Sequence, residues 1–100
     1  MCICITRSAE IDLREGFAFY ERQQAGVGSY FLDSLYADID SLLVFGGIHP
    51  KPDGRLYRTL AKRFPFAIYY DMQGEIVTVI AVLDCRRNPA SITDRLARRR

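Results

Sequence analysis

The chain has 100 residues, of which 49% are apolar and 26% charged, proportions typical of one globular domain. A domain of this size can bury a two-layer core without disulfides or a structural metal. No signal peptide is visible, and the longest strongly apolar run, residues 76–83, is too short for a membrane helix. We therefore expect one domain over residues 1–100, ending in a basic tail over residues 90–100. It should stay in the cytoplasm and bind no membrane.

The net charge of +2 conceals an asymmetry between the two halves of the chain. Residues 1–50 carry three basic and seven acidic side chains, a net charge of −4. Residues 51–100 carry eleven basic and five acidic side chains, a net charge of +6. Because opposite fields attract different partners, an anionic partner should be drawn to the surface formed by the second half.

The first half of the chain predicts a short strand followed by two helices. Residues 2–5 are apolar and partly β-branched, which favours an edge strand. Ser8 is a suitable N-cap for a helix over residues 9–24, whose apolar side chains recur with a helical period. Gly26 is placed to end that helix, and a second helix is predicted over residues 29–45.

The second predicted helix carries an apolar stripe that is wider than one packing contact needs. The stripe and its flank consist of Phe31, Leu35, Ile39 and Leu42, with Leu32, Tyr36 and Leu43 beside them. Two antiparallel helices joined by a short turn form a hairpin that can pack on a sheet. The extra width indicates either contact with a partner segment or a deeper core, and the sequence leaves both open.

The second half of the chain predicts a loop followed by three strands. Residues 46–54 hold three glycines and two prolines, which is typical of a loop. Residues 55–62 alternate imperfectly, as in a strand. Residues 66–70 and 76–83 are rich in β-branched and aromatic side chains, and the polar turn between them contains Gly74, so an antiparallel hairpin is expected.

The predicted fold class is therefore α+β, with an N-terminal α-helical hairpin packed on a small antiparallel sheet and a short C-terminal helix or tail. Ser91 and Asp94 resemble a capping box for a short helix through Leu96, and residues 98–100 should be mobile. The core residues expected from these patterns are Leu13, Phe17, Phe31, Leu35, Ile68, Val79 and Ala81.

The cysteines and the single histidine give weak functional signals. Cys2, Cys4 and Cys85 are odd in number, and the first two are too close along one strand to bridge comfortably, so reduced thiols are expected. A metal site made from these thiols and His49 is conceivable, but no C-x-x-C spacing is present. His49 lies in the loop with nothing nearby to pair with it. We therefore predict no metal, no cofactor and no catalytic histidine.

Basic side chains should gather at one end of the predicted sheet. In a meander, the end of strand 55–62 lies near the start of strand 66–70, which pairs with the end of strand 76–83. The cations collected there are Arg58, Lys62, Arg63, Arg86 and Arg87. Such a surface can hold an anionic partner, although arginines on a strand also protect an edge and keep it solvated.

Several motifs of the second half resemble the RelE/ParE toxin superfamily. They are Arg63-Phe64-Pro65-Phe66-Ala67-Ile68-Tyr69-Tyr70, a turn with Gly74, Ala81-Val82-Leu83 and Arg86-Arg87-Asn88-Pro89. The helical half is similar to that of the superfamily at Ala9, Asp12, Leu13, Tyr20, Gly26, Gly28, Phe31 and Leu32. The resemblance covers residues 2–89 and implies a single RelE/ParE-like toxin domain.

This resemblance implies the toxin of a type II toxin–antitoxin system and a cognate antitoxin with a partly disordered acidic segment. The match is better to the ParE branch, which poisons DNA gyrase by binding and needs no acid–base groups. RNA-cleaving members, which act on mRNA at the ribosome, usually place a His or Tyr near the C-terminal end of the sheet. This chain instead has Asp84-Cys85-Arg86-Arg87-Asn88-Pro89 there.

Gyrase inhibition is therefore the first functional expectation, and the enzyme class stays open, leaning against catalysis. The alternatives are a ribosome-dependent mRNA endonuclease, with a group such as Tyr70 moving protons, and an inactive module that only binds antitoxin. The residues expected to bind the target are Arg58, Lys62, Arg63, Arg86 and Arg87. The residues expected to bind the antitoxin are Leu32, Tyr36, Leu43 and Tyr57.

Overall fold

The computed structural model describes residues 2–52 and 54–99, which form four strands and four α-helices. In chain order these are β1 (Cys2–Ile5), α1 (Arg7–Gln23), α2 (Val27–Asp40), α3 (Leu42–Phe45), β2 (Tyr57–Leu60), β3 (Phe66–Gln73), β4 (Ile76–Asp84) and α4 (Pro89–Ala97). A 3-10 helix, Gly46–Ile48, lies between α3 and β2. Within the described ranges, no helix has the length and apolar character needed to cross a membrane.

The four strands form one sheet in the order β1-β4-β3-β2. The predicted β3–β4 hairpin is present, with Phe66 opposite Asp84, and β2 pairs antiparallel with β3. β1 is an edge strand as expected, but it pairs with β4 in parallel, so the sheet is mixed rather than wholly antiparallel. A parallel pair requires a long crossover connection, which the helices and two further strands between β1 and β4 provide. The α+β class is confirmed.

α1 begins earlier than the sequence predicts because Thr6, and not Ser8, is its N-cap. The Thr6 N–H still donates to the Val79 carbonyl of β4 at 3.1 Å, so the chain leaves the sheet only at this residue. The Thr6 hydroxyl then accepts from the Ala9 N–H at 3.2 Å. This bond satisfies one of the free donors in the first turn of the helix.

The turn between α1 and α2 is held by one carboxylate. Gly26 has a φ of 91°, a left-handed conformation that favours glycine. The Glu21 carboxylate accepts from the N–H of Gly26 and, at 2.9 Å, from that of Gly28. α2 therefore starts at Val27, and the helix predicted over residues 29–45 is interrupted at Ser41, whose hydroxyl donates back to the Asp38 carbonyl at 2.6 Å.

The sheet has a core on each face. On the first face, α1 and α2 cover a core that contains the predicted residues Leu13, Phe31, Leu35, Ile68 and Val79. Phe17 is only half-buried, contrary to expectation, and Ala81 is buried in the core on the other face. That second core consists of Leu56, Ala67, Tyr69, Ile80, Ala81, Leu83 and Leu96. A register shift at Tyr69 and Tyr70 leaves Ile80 unpaired, so Ile80 and Ala81 both belong to the second core.

The C-terminal segment is a helix and is anchored to the domain. Asn88, rather than Ser91, caps α4, and its side chain accepts from the Ala90 N–H at 2.8 Å. The expected tail over residues 90–100 is thus helical as far as Ala97. The expected mobility of residues 98–100 is wrong at Arg99, which pairs with the buried Asp12 carboxylate. Arg100 lies outside the described residues.

Candidate functional site

A cleft of about 560 Å³ lies between α4 and the second face of the sheet. Its apolar lining includes Leu56 from the segment before β2 and Ile92 and Leu96 from α4. Its basic lining consists of Arg55, Arg58 and Arg87, and none of the described lining residues has a carboxylate. The cleft therefore combines an apolar wall with concentrated positive charge. A cleft of this kind suits a partner that is anionic and partly apolar.

Sheet register places Arg58 in this cleft. Arg58 lies opposite Tyr69 in the β2–β3 pair, and Tyr69 belongs to the second core. Its neighbour Tyr57 lies opposite Tyr70, whose side chain belongs to the first core. Because side chains alternate along a strand, Tyr57 and Arg58 lie on opposite faces of the sheet.

The two arginines after β4 take different roles. The Arg86 guanidinium makes a two-pronged ion pair with the Asp84 carboxylate, at 3.0 and 2.7 Å. The hydrogen bond lowers the pKa of Asp84 and raises that of Arg86. Arg86 lines a smaller cleft beside α1, with Asp12, and not the cleft under α4. Its charge is therefore largely compensated within the protein.

Arg87 borders both clefts, and its Nε–H is buried without a hydrogen-bond partner in the described part of the chain. Its backbone N–H donates to the Asp84 carbonyl at 3.2 Å, which closes the turn after β4. A cationic donor removed from water without an acceptor is costly. Arg87 is thus the basic side chain whose hydrogen bonding the described fold leaves incomplete.

Lys62 and Arg63 do not reach the cleft. Both side chains are exposed in the turn between β2 and β3, and the Lys62 N–H donates to the Asp38 carboxylate at 3.1 Å. The structure therefore divides the five predicted target-binding cations. Arg58 and Arg87 come together, Arg86 is paired with Asp84, and Lys62 and Arg63 are on the open surface. Their role in target binding stays a prediction.

His49 has partners, contrary to the sequence analysis, and they come from β2 and β3. Its Nδ1 lies 2.8 Å from the Tyr70 hydroxyl, and its Nε2 lies 3.3 Å from the Thr59 hydroxyl. The Tyr70 hydroxyl donates its one proton to the Gly46 carbonyl, so Nδ1 must donate to Tyr70. Neutral His49 is then protonated at Nδ1 and accepts from Thr59 at Nε2. Tyr70 and Thr59 lie 21 and 10 positions from His49 in the chain, so the sequence gave no signal of these hydrogen bonds.

The histidine network and the cationic cleft lie on opposite faces of the sheet. Tyr70 belongs to the core under α1 and α2, whereas Tyr69, which lines the cleft, belongs to the core under α4. Burial raises the pKa of Tyr70 to about 12. Near neutral pH, neither His49 nor Tyr70 is therefore placed to move protons in the cleft.

The cleft also holds one of three free thiols. Cys2, Cys4 and Cys85 are all exposed and unbridged, as expected. Although Cys85 is exposed, partial desolvation in the cleft raises the pKa of its thiol, while the nearby Arg58 charge opposes that rise. Among the described residues, no group of His, Cys, Asp and Glu side chains could hold a metal ion.

An apolar surface lies at the end of the helical hairpin. Of the four residues predicted to bind antitoxin, Tyr36 and Leu43 are each 41% exposed. Leu32 is half-buried against the core, and Tyr57 stacks on Tyr70 with ring centroids 5.2 Å apart. The prediction missed the more exposed neighbours Val44, Phe45 and Ile48. The available signal was the unbroken apolar run over residues 42–45, followed after two glycines by Ile48.

Comparison with known proteins identifies the fold. No protein-family model and no curated protein sequence matches the chain. A chain from the solved structure of a chromosomal ParDE TA system from P. aeruginosa is similar, with a TM-score of 0.75 and 15% sequence identity. The match covers 82% of this chain and 92% of that one. The chain has a RelE/ParE-like fold.

The RelE/ParE-like fold explains the layout of the candidate surfaces. Its helical hairpin covers one sheet face and leaves the apolar surface around Tyr36 and Leu43 at the hairpin end. Its C-terminal helix covers the other face only in part, which leaves the cleft containing Arg58 and Arg87. The fold expected from the strand motifs is thus confirmed.

Proposed function

We propose that this chain is the toxin of a type II toxin–antitoxin system, and that it inhibits growth by binding DNA gyrase. A cognate antitoxin would neutralise it. The RelE/ParE-like fold supports the toxin assignment, because the similar solved chain comes from a ParDE TA system. The basic cleft and the exposed apolar surface of the hairpin supply surfaces for two partners.

One observation favours binding over RNA cleavage. The chain has one histidine, and it lies across the sheet from the arginines of the cleft. RNA cleavage needs a base for the 2′-hydroxyl proton and an acid for the leaving oxygen. Arginine stays protonated, burial raises the pKa of both Tyr70 and Cys85, and none of these groups is a suitable base.

The target-binding role falls to the five cations named from the sequence. Arg58 and Arg87 form the centre of the proposed contact because both line the same cleft, where no described lining residue has a carboxylate. Lys62 and Arg63 extend the positive surface, and Arg86 contributes less because Asp84 already pairs with it. The target would present an anionic surface of the gyrase–DNA complex to them.

The antitoxin would use the other surface. Tyr36 and Leu43 offer exposed apolar area, and the half-buried side chains of Leu32 and Tyr57 would add to the contact. A segment that folds on this surface would bury those side chains, while its acidic residues would lie toward the basic half of the toxin. A pull-down with the protein encoded beside this chain tests that pairing directly.

Induced expression in bacteria separates the proposed mechanism from its alternatives. Wild type, Arg58→Ala/Arg87→Ala and the control Arg22→Ala, which removes an exposed arginine at the end of α1, are compared for growth. Supercoiling, cleaved DNA complexes and primer extension on messages are measured in parallel. We expect cleaved DNA complexes with intact messages for wild type and Arg22→Ala, and recovery of growth for the double variant.

Truncated messages with normal supercoiling would overturn gyrase binding in favour of ribosome-dependent cleavage of mRNA. Normal growth, normal supercoiling and intact messages for folded wild type would indicate a module that only binds antitoxin. Circular dichroism of each purified variant establishes that loss of toxicity does not come from unfolding.

A further inference from the structure

We propose that the cleft under α4 binds a small organic anion, whose carboxylate or phosphate lies between Arg58 and Arg87 and whose apolar body contacts Leu56, Ile92 and Leu96. A volume of about 560 Å³ lies within the range of ligand clefts, about 300–1,000 Å³. The ligand would bind the isolated chain, so this inference does not rest on the binding of gyrase or of an antitoxin.

Arg87 supplies the first argument. Its Nε–H is buried and has no acceptor among the described residues. Asp84, the nearest carboxylate in sequence, is occupied by both arms of Arg86 and by the Arg86 backbone N–H at 2.8 Å. Arg87 itself is half-buried and lines the cleft, so an anion bound there would offset part of the cost of the unsatisfied Nε–H through its charge.

Arg58 supplies the second cation from a different strand. Its position follows from the β2–β3 register opposite Tyr69, so it is fixed by the sheet and not by a flexible loop. Its charge acts on the Cys85 thiol, which lines the same cleft. Arg55 also lines the cleft but has interactions of its own, and the proposal does not use it.

The apolar wall decides between a bare ion and an organic one. Leu56 and Leu96 are core residues that close the floor, and Ile92 is half-buried beside them. Inorganic phosphate would leave this wall in water, whereas a ligand with an apolar body would cover it. The site should therefore prefer an organic anion over inorganic phosphate. Two classes of ligand join an anionic group to a body that can cover the wall: nucleoside monophosphates and aliphatic carboxylates.

Fluorescence titration of the full-length protein with anilinonaphthalene sulfonate, an aromatic anion, tests the site. We expect saturable binding at one site per chain, weakened about tenfold or more in Arg58→Gln/Arg87→Gln and unchanged in Arg22→Gln. Displacement by AMP would assign a phosphate ligand, and displacement by octanoate a carboxylate. Unsaturable binding, or equal affinity in all three proteins, would overturn the proposal.

Alkylation of the wild-type protein gives a second test, which does not depend on whether a variant folds. Cys85 lies in the cleft, whereas Cys2 and Cys4 are exposed on the edge strand and serve as internal controls. Saturating AMP or octanoate should slow iodoacetamide labelling of Cys85 several-fold and leave the other two rates unchanged. If neither ligand changes the labelling rate of any of the three thiols, binding in this cleft is contradicted.

Discussion

At the scale of single residues, buried polar groups join parts of the chain that are distant in sequence. β4 extends beyond β1, so the Val82 N–H has no strand partner on that side, and Asp12 of α1 accepts its hydrogen bond at 3.0 Å. The same carboxylate pairs with Arg99, its Oδ1 at 2.9 Å from one guanidinium nitrogen. Asp12 therefore links the first helix, the last strand and the C-terminus.

Removing one partner of this pair should cost more than removing both. Arg99→Gln leaves a buried carboxylate without its counter-charge and should lower the free energy of unfolding by about 2–4 kcal/mol. Asp12→Asn/Arg99→Gln should lose less, because no buried charge remains and Asn can still accept from Val82. Urea denaturation of the single and double variants measures the difference. A double variant less stable than Arg99→Gln would contradict this explanation.

The bonds of Tyr70 predict a stability change at high pH. Tyr70→Phe leaves the Gly46 carbonyl and the Nδ1–H of His49 without their partner and should cost about 1–2 kcal/mol. Folding raises the pKa of Tyr70 from 10.0 to about 12. The stabilising effect of the protonated phenol is therefore complete below pH 10 and is lost as pH rises toward 12.

Unfolding free energies of wild type and Tyr70→Phe, measured across pH 9 to 12, test this sign. The difference between the two proteins should shrink over the upper part of that range. Tyr30→Phe, at an exposed position, is the control and should match wild type throughout. A constant difference would mean that Tyr70 does not titrate with the shifted pKa.

At the scale of elements, the close approach of α1 and α2 sets the position of the hairpin on the sheet. A Cβ on Gly16 would lie 2.5 Å from the Phe31 ring, and one on Gly28 would lie 2.8 Å from the Phe17 carbonyl oxygen. Neither position has room for a larger side chain. Phe31 is fully buried and contacts the rings of Tyr20, Phe64 and Phe66, so it cannot move aside freely.

Gly28→Ala should therefore destabilise the protein by about 1–3 kcal/mol through overpacking of the hairpin. Gly47→Ala is the matched control, because a Cβ there meets nothing within 4 Å and its φ is not positive. Thermal denaturation should show a lower melting temperature for Gly28→Ala and nearly no change for Gly47→Ala. Equal melting temperatures for the two variants would show that the helices can separate without cost.

At the scale of the whole molecule, the charge asymmetry and the apolar surface should affect binding kinetics differently. If an acidic antitoxin binds, its association rate should fall steeply with salt. The reason is that salt screens the attraction between the antitoxin and the second half of the chain, which has a net charge of +6. Its dissociation rate should change little with salt and should rise in Leu43→Ala. Stopped-flow measurements over a salt series test both rates. A salt-independent association rate would remove electrostatic steering from the explanation.

The sequence by itself determined the element types and the fold class. Helical periodicity and β-branched runs report local backbone preference, and the hairpin of β3 and β4 needs only a short polar turn with Gly74, whose φ is 57°. The strand motifs also indicated the RelE/ParE-like fold. Cap positions at Thr6 and Asn88 were missed, because they depend on where neighbouring strands stop making hydrogen bonds.

Only the tertiary structure decided which charged groups meet. Sequence spacing grouped Arg86 with Arg87, but after the tight turn Arg86 pairs with Asp84, whereas Arg87 lines the same cleft as Arg58. The parallel pairing of β1, the Asp12–Arg99 pair and the His49–Tyr70–Thr59 network join residues that are far apart in the chain. Local propensity carries no information about such contacts, because they form only when helices and sheet pack against one another.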